Sequence, residues 1–144
     1  MRHPILIGLA LALALFAAPQ TADADGGVVF LCNASNPTST LSGSELKKAL
    51  TGGTKQWPNG AIVQVGLTAP NSREVASLAE AAGMSAEDLL SRIQQQVFKG
   101  EMRRPVMLRS SAECIGLARS VPGSICAVIA GAALPADVKI IQVR

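Results

Sequence analysis

The chain has 144 residues, 49% of them apolar, and a formal net charge of +3. The basic excess is small and forms no run, which argues against nucleic acid as a partner and suits a small anion. His3 is the lone histidine, tyrosine is absent and the three cysteines show no C-x-x-C spacing. Without the leader, neither a Ser-His-Asp or Cys-His centre nor a histidine metal site can be assembled, so neither an enzyme nor a metal or cofactor is expected.

In chain order the first element is a leader. Arg2 and His3 give a basic start, Ile5 to Phe16 is an apolar run too short to span a bilayer as a helix, and Ala22-Asp23-Ala24 fits a small-x-small cleavage site. Residues 1–24 are therefore expected to be a signal peptide, leaving residues 25–144 as one exported domain, periplasmic or secreted. The mature chain holds no apolar run of membrane-spanning length.

Val28-Val29-Phe30-Leu31-Cys32 is apolar on both strand faces and ends in Asn33, Ser35, Asn36 and Pro37, which reads as a central strand stopping in a polar loop. Ser42-Gly43-Ser44-Glu45 is a capping-box pattern that opens a helix through Leu50, and Gly52 stops it. Gly52-Gly53-Thr54-Lys55 lacks the phosphate-loop spacing and is read as that stop. Trp57-Pro58-Asn59-Gly60 is a turn, with Trp57 as a packing residue, and Ala61 to Leu67 alternates as a strand with Val63, Val65 and Leu67 on one face.

Asn71 or Ser72 caps the next helix, whose apolar face is Val75, Leu78, Ala79 and Ala82. Its free N–H groups together with Arg73 make an anion site cheap, although capping alone explains the same residues. Ser85 opens a third helix with Leu89, Leu90, Ile93 and Val97 on its core face. Val106 to Leu108 is a short strand, Ser110-Ser111-Ala112-Glu113 repeats the capping box, and Pro122-Gly123 ends the helix that follows. Ser124 to Ala130 is a second apolar strand and Val138 to Val143 a last, half-exposed one. The two apolar strands are expected side by side, with their outlets at one rim. The fold class is α/β, a single mixed sheet covered by helices.

Cys114 and Cys126 are the preferred disulfide pair, because a helix and a strand leaving the Pro122-Gly123 turn return these residues to a similar height. A Cys32–Cys126 bridge and three free thiols stay open.

Several of these residues together carry a resemblance: Val28 to Pro37 with Asn33 and Ser35-Asn36-Pro37; Leu41-Ser42 and Glu45-Leu46; Gly52 with Trp57-Pro58-Asn59-Gly60; Ser72-Arg73-Glu74; Ser85 with Leu89; Phe98 and Gly100; Pro105; and Pro122-Gly123-Ser124-Ile125. In this order they resemble the solute-binding domain of phosphate ABC transporters, a periplasmic binding protein-like domain. Cys126-Ala127 departs from the usual Gly and aromatic, and Val75 from the usual Phe. The resemblance implies one lobe of such a receptor and a small oxyanion, phosphate favoured, held by Ser35, Asn36, Ser72 and Arg73 without enzymatic activity. It further implies an accessory part in phosphate uptake. The alternative is a protein–protein interaction module that keeps the lobe without the ligand, docking on a partner protein or forming a homodimer.

Overall fold

The computed structural model describes residues 27–131 and 133–144. The expected leader, residues 1–24, and its cleavage site lie outside the described residues. Strand β1 (Val28–Asn33) is followed by β2 (Thr40–Leu41), helix α1 (Gly43–Leu50) and β3 (Gln64–Leu67). Helices α2 (Arg73–Ala81) and α3 (Ala86–Phe98) then precede β4 (Val106–Met107), α4 (Ser111–Ser120), β5 (Ser124–Ile129) and β6 (Val138–Val143).

Each helix starts where a serine hydroxyl replaces a missing helical acceptor. Ser42, Ser72, Ser85 and Ser110 accept from the N–H of Glu45, Val75, Asp88 and Glu113 respectively. Gly52, Gly83 and Gly100 end the first three in the left-handed conformation that only glycine enters freely.

The strands form one mixed sheet in the order β2-β6-β1-β5-β3-β4. β1 runs antiparallel to both neighbours, β5 and β6, whereas β3 is parallel to β5 and to β4. Strand alternation divides the core in two. Phe30, Cys32, Val65, Leu67, Ile125 and Ala127 meet Leu46, Val75, Leu78 and Leu89 of α1, α2 and α3 on one face. Leu31, Cys126 and Val128 meet Cys114 and Ala118 of α4 on the other.

This division decides the cysteines. Cys114 and Cys126 are bonded, with Cα atoms 6.1 Å apart, so α4 is tied to the strand it covers. Cys32 projects to the opposite face, so it cannot reach Cys126, and it is a buried free thiol.

The two apolar strands β1 and β5 are adjacent, as expected, but the expectation of a shared rim is corrected. Val28 pairs with Ile129 and Cys32 with Ile125, so the strands run in opposite directions and their outgoing loops leave at opposite ends. Burial on both faces identifies a central strand; it carries no information about direction.

Trp57 has the packing role expected of it. It is 4% exposed, and its Nε1–H donates to the Gly123 carbonyl at 2.9 Å. A side chain at Gly123 would collide with the Ile62 carbonyl, so only glycine allows this crossing of the two turns.

Candidate functional site

Ser35 and Asn36 lie in the loop after β1, where most side-chain polar atoms are used internally, while the buried Asn36 Nδ2 has no hydrogen-bond partner among the described residues. Asn33 Nδ2 donates to the carbonyls of Ala118 and Arg119 at 2.8 and 3.1 Å, closing the end of α4. Its Oδ1 accepts from the Ser35 N–H at 2.9 Å and from the Ser35 hydroxyl at 2.6 Å. Asn36 is 1% exposed and its Oδ1 accepts from the Thr38 N–H at 3.0 Å. Asn59 Nδ2 donates to the Ser35 carbonyl. This loop is a clasp between β1, α4 and the 57–60 turn, and the Ser35 hydroxyl hydrogen is spent within it.

Ser72 and Arg73 lie at the other end of the sheet. Extending the pairing of β5 with β1 and β3 puts Asn33 opposite Ser124 and Thr68 opposite Val128. The two loops are therefore separated by about 13 Å along the strands before either turns outward. The four residues expected to share one ligand do not meet in this lobe.

The end that carries Ser72 has the features of a site. Strands β3, β4 and β5 are parallel and finish there. The chain leaves β3 toward α2 on one face and leaves β4 toward α4 on the other, as the packing of these helices shows. Neighbouring parallel strands whose outgoing loops part to opposite faces leave a crevice at their carboxyl ends.

On the β3 bank, the half-buried Ser72 hydroxyl oxygen accepts from the Val75 N–H at 3.2 Å and lies 2.7 Å from Thr68 Oγ1. Two hydroxyls joined by one bond use one of their two hydrogens, so one O–H is left over. The first-turn N–H groups of α2 point the same way, and Arg73, exposed, is the first residue of that turn. Glu74 also lies in this turn and opposes an anion there.

On the β4 bank, the Leu108 N–H donates to the Leu67 carbonyl at 2.7 Å, bringing the two loops side by side. Ser110 caps α4, and the Glu113 carboxylate accepts from the Arg109 N–H at 2.7 Å, one residue before the cap. Sequence reasoning treated this stretch as a capping box alone and missed Arg109. Its signal was a second capped helix, preceded by Arg, directly after a short strand. Among the described residues no three His, Cys, Asp or Glu side chains gather as a metal set. The two helix starts carry hydroxyl and backbone donors and the arginines Arg73 and Arg109, together with the carboxylates Glu74 and Glu113.

The architecture has the fold of one lobe of a periplasmic solute-binding protein. Solved structures of phosphate transport receptors share it. The chain is similar to an ABC-type phosphate transport receptor from Vibrio cholerae, with a TM-score of 0.60 and 15% identity over 82% of this chain and 46% of the receptor. It is similar also to a phosphate ABC transporter substrate-binding protein with bound phosphate from Clostridium perfringens, with a TM-score of 0.62 and 17% identity over 82% of this chain and 45% of that one. PstS from Borrelia burgdorferi matches with a TM-score of 0.56 and 16% identity over 83% of this chain and 47% of its own. The chain thus spans less than half the length of these receptors, consistent with a single lobe. No protein-family model matches the sequence, and no curated protein does.

Proposed function

We propose that this chain is an exported, non-enzymatic domain that binds a small oxyanion, phosphate in the first instance, at the carboxyl ends of β3 and β4. The observation that carries the reading is the Thr68–Ser72 hydroxyl pair, which has one hydrogen unspent where α2 begins and Arg73 follows. The fold shared with phosphate receptors supports it. Export is supported by the leader pattern in residues 1–24 and by the Cys114–Cys126 disulfide, which suits an oxidising compartment such as the periplasm. An accessory part in phosphate uptake is the role that such a lobe fits.

A one-lobed site leaves one side of the anion in water, so its affinity should fall well short of a two-lobed clamp. Calorimetric titration of residues 25–144 with phosphate should give saturable binding in the millimolar range. Arg73→Ala should weaken it about tenfold, the scale of one charge-assisted hydrogen bond. Absence of heat at millimolar phosphate, or an Arg73→Ala variant that matches the parent, contradicts the reading.

A second reading, an interaction module or homodimer, is favoured by one observation. Phe98 is 93% exposed and Met107 is 63% exposed, at the two ends of the connection from α3 to the sheet-edge strand β4. Sedimentation at rising concentration tests self-association, and Phe98→Ser should abolish any that occurs through this connection.

A further inference from the structure

The crevice does not stop at the hydroxyl pair. A cavity of about 410 Å³ opens beside it between α3 and the sheet edge, and Thr68 is part of its wall. Leu90, Ile93 and Val97 of α3 form one side, and Pro105 and Met107 of the β4 segment form the other. Its size is that of a small-molecule site.

The cavity exists because β4 is only two residues long. The apolar stripe of α3 runs past the end of the sheet that should cover it, so Leu90 and Val97 stay half-buried and Met107 faces outward. The lining carries one charge, that of Arg104, and no carboxylate. An apolar trough with a cation at its rim is thus joined, through Thr68, to the spare hydroxyl donor at the start of α2.

From this juxtaposition, and resting on the oxyanion reading above, we infer that the ligand class is a phosphate monoester, or a like organic oxyanion, whose apolar group lies in the trough. Such a ligand answers the weakness of a single lobe. Bare phosphate offers nothing to the trough and must compete with water on its open side. An ester keeps the oxyanion contacts at Thr68, Ser72 and Arg73 and adds burial of apolar area along Leu90, Val97 and Met107.

The test is calorimetry on residues 25–144 with three probes: phenyl phosphate, inorganic phosphate and phenol. Phenyl phosphate should bind at least tenfold more tightly than inorganic phosphate, and phenol should bind more weakly than either. In the double variant Val97→Ala, Met107→Ala the ratio of ester to phosphate affinity should fall toward one. Val97 is in the last turn of α3 and Met107 is exposed, so both sites tolerate alanine in the fold, which circular dichroism verifies. Equal affinities for the ester and inorganic phosphate overturn this inference and leave the oxyanion reading standing. Phenol matching phenyl phosphate breaks the link between trough and hydroxyl pair. No binding of either phosphate overturns both.

Discussion

Ser72 serves two purposes, as the cap that starts α2 and as half of the hydroxyl pair that faces the crevice. Ser72→Ala should therefore cost about 1 kcal/mol of stability, measured by urea unfolding, besides weakening phosphate binding. Glu74 in the same turn favours the helix but repels an anion. Glu74→Gln should tighten phosphate binding about threefold at low salt, an effect that shrinks as ionic strength rises. Cys32 is a different kind of residue. Burial pushes its thiol from 9.0 up to about 11, with the charge of Lys139 opposing. The folded state therefore holds this proton where the unfolded chain has lost it, and stability present below pH 9 is lost as pH rises through about 11. The loss attributable to Cys32 should be roughly 2–3 kcal/mol. Relative to Cys32→Ala, the parent's denaturant midpoint should fall over that window from its value at neutral pH; parallel curves would refute the assignment.

Among the elements, the β5 strand is held near its start by two features that substitutions remove. The disulfide joins α4 to β5 across 12 residues of sequence, and Cys114→Ser, Cys126→Ser should lower stability by about 3 kcal/mol on the loop-entropy scale. Gly123 passes against the Ile62 carbonyl while its own carbonyl accepts from Gln64 N and Trp57 Nε1. Gly123→Ala should cost about 3 kcal/mol, visible as a lowered thermal midpoint. The elements themselves were legible in the sequence because each rule behind them is local: a serine cap, a glycine stop, a run of apolar residues. Partner direction was not legible, because pairing between Val28 and Ile129 is settled by how β3, α4 and β5 connect across the chain. That is why Ser72 and Arg73, neighbours on one helix start, were legible as a pair, while the separation of Ser35 and Asn36 from them along the sheet was not. Arg109 was missed for the same reason: only the parallel pairing of β3 with β4 brings its loop to Thr68.

At the scale of the whole molecule, the sheet separates two ends with different work. One end, at Asn33 to Asn36 and Trp57 to Gly60, is locked by side-chain hydrogen bonds to backbone. The other, where β3, β4 and β5 finish, presents donors outward and adjoins the trough along α3. The division predicts where a ligand acts as well as whether it binds. Backbone amide shifts recorded by NMR during a phosphate titration give the most direct test. The largest changes should fall on Thr68 to Val75, with smaller ones at Arg109 to Ser111. Shifts centred on Ser35 and Asn36, or none at any position, would contradict the assignment of the site to this end of the sheet.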